Sequence, residues 1–556
     1  MEENKLRSTD ENIMTGGTCI IVIELSEDDS FFDQKKDLLQ SKGFDIREKI
    51  EIEGSSSSDQ IAISLEKMLQ IARIINLDEI ELYFGENECS SVEFWSARNE
   101  VEALNSVLSL VKSSISGKTC LDKNPLQALQ DAIIYRIGKL VEKRKLEISF
   151  DRTYKCNKEK CLLEWGEQNG AKTRLEIACI EGAGRGAIAT EDLKVGEIAL
   201  EIPLSIIISE DLICNSDVHH LLEQIDGIST ETMLLLWSMK ERHNCNSKFK
   251  IYFDTLPKEF NTGLSFGVDA IMALDGTLLL EEIIQAKEHL RSQYDELIPA
   301  LCNNHPDVFP PELYRWEQFI WACELWYSNS MKVMFADGKL RTCLVPVAGF
   351  LNHSLHPHVV HYGKVDPRTS TLKFPLSRPC CVGEQLCLSY GNFSSSHLIT
   401  FYGFLPEGDN PYDVIPLDID ADEAGRIEDC PQSGWTAHMV RGTWLSNNHN
   451  IFHYGLPPPL LDYLREARSP THNKKDTQPN LEIEMEVLQD LHATFSDMME
   501  NLGDTDLVDR ENTRWDVFLA VQYKNLQRKI VSSVLTACDT GIKLVQNELS
   551  KCIAVE

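Results

Sequence analysis

The spacing of apolar and polar positions divides the chain into stretches of different texture. TCIIVIEL at 18–25 is an apolar run of strand length, and EIELYF at 79–84 reads as a second strand. Between them, residues 60–75 place apolar side chains at helical spacing, behind Ser58 or Asp59 as the N-cap. Residues 90–115 and 125–146 read as further helices, and the serine run at 55–58 is a turn or cap, too short for a linker. The pattern predicts a small α/β domain over residues 1–150, with no motif that carries chemistry.

From about Cys161 short β-type runs take over. Residues 174–180 form one, and GEIALEIPLSIIIS at 196–209 contains another, broken by Pro203. Residues 211–335 then turn helical, with a 3.6-type period over 230–242, 278–301 and 311–333. Strand texture returns over 341–390, so the β material is split by a helical insertion. Past Pro411 the chain reads as mostly helical, with SPTHNKKDTQPN at 469–480 as a loop and amphipathic stretches at 512–533 and onward to 551. No internal repeat is visible.

Composition narrows the class. The 556 residues exceed one ordinary core, and usual domain sizes suggest roughly three to five domains. Hydrophobic residues at 42% and charged residues at 25% are those of a soluble globular chain. Lys plus Arg total 54 against 87 Asp plus Glu, a net charge of −33. That surplus repels phosphate backbones and no concentrated basic run offsets it, so a nucleic-acid partner is disfavoured and a basic protein partner suits the chain better. No apolar stretch approaches a membrane span, and MEENKLRSTDEN is too acidic and polar for a signal or transit peptide. Seventeen irregularly spaced cysteines read as reduced thiols in the cytosol or nucleus.

Four motifs remain. EGAGRGA at 181–187 follows a strand, where closely spaced glycines let backbone N–H groups approach a ligand. A Rossmann reading needs a helix to begin at those glycines, but AIATEDLKVGEIALEIP reads as strand, turn, strand. By itself the motif is more often a plain β-turn. LVPVAGFLNHS at 344–354 contains an Asn-His pair, GEQLCLSYGNF at 383–393 is a strand ending at Tyr390-Gly391, and TFYGF at 400–404 follows a helix capped within residues 394–396. Singly these are ordinary packing features.

Their order is more specific. The segments LLEWGEQNGAKTRLEIACIEGAGRGAIATEDLKVGEIALEIP, VPVAGFLNHS and GEQLCLSYGNFSSSHLITFYGFLPEGDNPYD resemble the split SET domain of protein methyltransferases. The likeness is to the group typified by the Rubisco large-subunit lysine methyltransferase and the actin-histidine methyltransferase. It covers residues 160–420 and extends more loosely to the C-terminal helices, in the position of the family's substrate-binding domain. The fold it implies is α+β: a β-rich SET fold over 151–405 split by a helical insertion at about 211–335, a mostly helical domain over 406–556, and the small α/β domain in front.

By that resemblance the protein is an S-adenosylmethionine-dependent N-methyltransferase acting on lysine of a non-histone protein, with histidine as the second choice of acceptor. Tyr390 takes the catalytic tyrosine position. Ala183, Gly184 and Arg185 match the turn whose backbone holds the cofactor, Asn352 and His353 the pair that contacts it, and Tyr402 the aromatic beside it. Glu384 is assigned to the strand scaffold, and zinc is not expected. Cys156 and Cys161 lack a second pair, Cys380, Cys381 and Cys387 should face different ways, and His356, His358 and His361 read as a solvent-exposed loop. Two positions depart from the family: Gly349 stands where an acid is common, and Asn329 where an arginine is common. They motivate an alternative of another class, a SET-fold protein that binds partners through its helical C-terminus without methylating them.

Overall fold

The computed structural model describes residues 18–54, 56–85, 96–116, 124–142, 155–214, 216–225, 227–418, 435, 437–468, 480–504, 509 and 512–555. The loop expected at 469–480, the first residue of the serine run and residues 90–95 of the first predicted long helix therefore fall largely or wholly outside the described residues.

The N-terminal unit is built on two antiparallel strands, β1 (Thr18–Glu24) and β2 (Arg47–Glu53). Period-2 alternation sends Cys19, Ile21 and Ile23 of β1, and Ile50 and Ile52 of β2, to one face. That face packs on Leu65, Met68, Leu69 and Ala72 of the Ser58–Ile75 helix and on the Ala97–Ser116 and Asn124–Glu142 helices. The N-cap of Ser58–Ile75 is Ser57, one residue earlier than expected: its Oγ accepts from the Gln60 N–H at 3.3 Å, while Gln60 Oε1 accepts from its own N–H at 2.8 Å.

The segment Glu79–Phe84 is a short helix, not the strand its apolar alternation suggested. A capping box forms at its start, with Asp78 Oδ1 accepting from Glu81 N–H at 2.8 Å and Glu81 returning a bond to Asp78 N–H at 3.2 Å. The Asp78 and Glu81 carboxylates supply what a strand ladder would have supplied, so the local period lost to side-chain capping.

The second unit carries the split β structure. Strand β6 (Ile198–Pro203) lies between β3 (Lys172–Thr173) and β9 (Thr371–Pro375) and pairs antiparallel with both, and β4 (Leu175–Ile180) pairs with β5 (Gly184–Ala189) across the glycine turn. Strand β6 ends at Pro203, which cannot donate to a ladder. Helices Thr230–Glu241, Leu278–Asn304 and Trp316–Asn329 form most of the insertion, which closes with the hairpin of β7 (Ser330–Met334) and β8 (Leu340–Leu344). The last of these helices stops four residues short of the expected end because Ser330 turns extended to enter β7. Residues 385–388 join neither sheet, yet bridge Ile188 on one side and His353 and Val359 on the other. The strand texture read there is thus a thread of isolated bridges.

The C-terminal unit pairs β10 (Val414–Leu417) with β11 (His438–Arg441) and packs helices Pro458–Arg468, Leu481–Leu502 and Trp515–Val555 around Leu460, Val487, Phe495 and Val534. The two amphipathic stretches read after residue 512 are one continuous helix. Among the described residues no helix is long and apolar enough to cross a membrane.

Candidate active site

The β4–β5 turn opens the site. Gly182 and Gly184 sit at φ 83° and 71°, conformations that side chains rarely adopt. A Cβ added to Gly184 would meet nothing within 4 Å, so the turn has open space beside its backbone. The antiparallel pairing of β5 with β4 and the strand at β6 exclude the helix that a dinucleotide turn requires. Arg185 is held away by its side chain: the guanidinium donates to Glu159 Oε1 at 2.7 Å and to the Thr255 carbonyl, and lies 5.2 Å over the Phe350 ring. Only its backbone faces the site. Its carbonyl accepts from Asn352 Nδ2 at 3.1 Å.

From Asn352 the contacts continue without a break. Its carbonyl accepts from Leu388 N–H at 2.9 Å, and the Nδ1 of His353 accepts from Tyr390 N–H at 3.1 Å. The Tyr390 ring lies 5.3 Å from the His353 ring and stacks on Tyr402 at 4.8 Å and 28°. Phe404 closes the group, 6.1 Å from His353 and edge-on to both tyrosines at 6.4 and 6.5 Å. Of the seven residues singled out from the sequence, Arg185, Asn352, His353, Tyr390 and Tyr402 lie along one path of contacts, and Ala183 and Gly184 sit in the turn that leads into Arg185. Phe404 and Glu159 were missed. The first was visible in the TFYGF motif but carried no role; the second lies in a polar run with no signal pointing to Arg185.

Burial sets the charge state of the group. It pushes the Tyr390 hydroxyl well above its ordinary value, an effect increased by the neighbouring Tyr402, and pushes Tyr402 up to about 12. It brings His353 down to about 4. Near neutral pH the four rings are therefore uncharged, with both phenols protonated.

Behind the site, His358 corrects the expectation of an exposed histidine loop. It is 1% exposed. Its Nε2 lies 2.9 Å from Glu384 Oε1, and its Nδ1 accepts from Cys387 N–H at 3.1 Å, a pattern that places the proton on Nε2. Arg378 donates to Glu384 at 3.2 Å and lies 3.3 Å from His358 Nδ1. Glu384 also accepts from Cys381 N–H at 3.0 Å, which puts it in the scaffold of the bridged segment leading to Tyr390. His358, Cys380 and Glu384 lie close enough to hold a metal ion, but Arg378 already supplies the positive charge there.

These groups predict acid sensitivity. Burial lowers both His353 and His358 to about 4. Their stabilising contribution is complete above the unfolded histidine value and is lost as pH falls toward 4. Asp413, raised to about 6 by burial, acts in the opposite sense and recovers stability over part of that range. Glu384, held at about 2 beside His358, adds to the loss at the acid end, so the net change as pH falls from 7 to 4 is a loss of stability. The urea midpoint followed by tryptophan fluorescence should therefore fall over that range; a constant midpoint would contradict this electrostatic picture.

The two departures from the family adjoin one another. A Cβ on Gly349 would lie 3.4 Å from Asn329 Oδ1. An acid at one position and a base at the other would have been neighbours, so their joint absence leaves no charge of either sign behind.

This geometry is that of a SET domain, and the SET domain family model matches residues 184–391. A second model, Rubisco LSMT substrate-binding, matches residues 26–138. The likeness had been expected on the C-terminal helices; the sequence match falls instead on the N-terminal unit, for which no role had been read. Curated relatives include the actin-histidine N-methyltransferases of Rhinolophus ferrumequinum and Gallus gallus, each 24% identical, over 303 and 274 residues. These alignments cover 52% and 48% of this chain and 50% and 45% of theirs, so the chain spans about half the length of the curated relatives it matches. Among solved structures, the SET domain of LSMT bound to lysine and AdoHcy superposes with a TM-score of 0.53 at 18% identity, covering 70% of this chain and 92% of that one. Rubisco LSMT bound to AdoMet does so with the same score and identity, covering 70% and 93%. The chain thus carries a SET-domain match, has the fold of the LSMT SET structures, and is similar to actin-histidine N-methyltransferases.

Proposed function

We propose that the chain is an S-adenosylmethionine-dependent protein N-methyltransferase whose acceptor is a lysine of a non-histone protein. The observation that carries this reading is the uncharged aromatic cluster of His353, Tyr390, Tyr402 and Phe404, joined to the glycine turn through Asn352. Aromatic faces attract a cation, most strongly where water is excluded, and a sulfonium is such a cation. The open flank of Gly184 gives room beside the turn for a ligand's polar end.

When bound, S-adenosylmethionine supplies a methyl group already activated for in-line displacement. The chain must align the acceptor nitrogen and exclude water. Burial keeps the Tyr390 hydroxyl protonated, so it serves as a hydrogen-bonding guide for the nitrogen and not as a base. The positive charge of the bound sulfonium, together with desolvation of the acceptor nitrogen, would favour the neutral amine that can attack.

Histidine is the second reading, favoured by the name of the curated relatives; an imidazole needs no deprotonation near neutral pH. The net charge of −33 suits a basic docking surface on the partner, and the thiol-rich composition suits the cytoplasm or nucleus. Calorimetric titration with S-adenosylmethionine tests the cofactor: saturable binding is expected, and its absence would sink the enzyme reading. Tandem mass spectrometry of the methylated product then separates lysine from histidine.

A further inference from the structure

Tyr390 is followed by a residue that cannot fix its own loop. Gly391 sits at φ 141°, a conformation open to glycine, and a Cβ there would lie 2.9 Å from the Phe393 ring. The loop must be held from outside. On one side Asn410 Nδ2 donates to the Phe393 carbonyl at 3.0 Å. On the other the partner comes from the N-terminal unit, far away in sequence.

That partner is Asp78. Its Oδ2 accepts from Asn392 Nδ2 at 2.8 Å and from the Tyr412 hydroxyl at 2.8 Å, while Oδ1 caps the Glu79–Phe84 helix. Arg98 lies 3.4 Å from Asp78 and also pairs with Glu81 and, at 2.7 Å, with Glu102. Arg98 thus balances part of the acidic charge at this junction. The same short helix reaches the C-terminal unit, where Tyr83 Oη accepts from Met439 N–H at 3.1 Å and lies 3.1 Å from His438 Nδ1. Arg441 lies 4.2 Å over Phe84. The region matched by the substrate-binding model is therefore wedged between the catalytic loop and the C-terminal unit.

We propose that Asp78 is a positioning residue for the reaction: through Asn392 and Tyr412 it holds the loop that carries Tyr390, so the N-terminal unit sets the rate of methyl transfer without touching substrate or cofactor. This rests on the methyltransferase reading above. Asp78 itself offers no chemistry to the site; its effect is on where the Tyr390 hydroxyl points.

The test compares the full-length chain with Asp78→Ala, Asp78→Asn and Asn392→Ala. Asp78→Ala should lower kcat at least about tenfold while leaving S-adenosylmethionine affinity within about twofold, since misplaced catalytic groups cost rate before binding. Asp78→Asn keeps an acceptor oxygen for the loop and should restore most of the rate. The Asp78→Ala/Asn392→Ala double variant should lose no more than Asp78→Ala, because the two residues act through one contact. Hydrogen exchange read by mass spectrometry should rise in the peptide spanning 388–394 in Asp78→Ala and stay unchanged over Thr371–Pro375. An unchanged kcat in folded Asp78→Ala, additive losses in the double variant, or exchange that rises equally everywhere would overturn the proposal. The exchange measurement reads the loop independently of turnover. An inactive wild-type chain would therefore count against the methyltransferase reading, while the exchange pattern would still decide whether Asp78 holds the loop.

Discussion

Tyr390→Phe should yield a folded protein that binds S-adenosylmethionine with nearly unchanged affinity and transfers methyl groups about 100-fold more slowly or worse, the usual cost of removing one aligned hydrogen-bonding group at a reacting centre. The expectation follows from what the substitution leaves in place. The phenyl ring can still stack on Tyr402 at 4.8 Å, and the backbone N–H of residue 390 can still donate to His353. Only the hydroxyl is lost, and with it the group proposed to orient the acceptor nitrogen. Single-turnover rates with saturating cofactor measure this directly. A variant as fast as the parent would remove Tyr390 from the mechanism.

Gly403→Ala should have the largest effect on folding. Gly403 ends the Ser395–Tyr402 helix at φ 76°, with its N–H donating to the carbonyls of Leu398 and Ile399. A Cβ added there would lie 1.6 Å from the Asn261 carbonyl oxygen and 2.6 Å from its carbon, backbone atoms that no rotamer change can clear. The left-handed conformation alone costs about 1 kcal/mol, and the forced backbone movement should carry the total past about 4 kcal/mol. Because Tyr402 and Phe404 flank this glycine, cofactor binding should be lost along with stability. Gly338→Ala is the control: its φ is 80° but its Cβ would meet nothing within 4 Å, so it should pay only the conformational cost. Thermal melts of the two variants should differ by several degrees, and equal melting temperatures would contradict the close approach of the insertion to the site.

Which parts of this were legible in the sequence follows from the range of the interactions. The β4–β5 turn, the Asn-His pair and the segment ending at Tyr390 were visible because each is a local pattern whose order along the chain carries the likeness. The Glu79–Phe84 segment was misread because its apolar period was outweighed by the Asp78–Glu81 capping box. His358 was misread because its partners, Arg378 and Glu384, lie 20 and 26 residues on, so its neighbourhood gave no sign of burial. Asp78 was invisible for a stronger reason: its partners Asn392 and Tyr412 are 314 and 334 residues away. Long-range polar contacts of this kind leave no spacing to read, and here they join the unit whose role the sequence left open to the loop that matters most.

The most direct test of the central claim is transfer of a radiolabelled methyl group from S-adenosylmethionine to protein in a cell extract. The proposed role of Tyr390 predicts label on a discrete protein band with the wild-type chain and about a hundredth of it or less with Tyr390→Phe. An unlabelled extract, from a chain shown by calorimetry to bind the cofactor, would contradict the methyltransferase reading and leave a SET fold that binds without reacting.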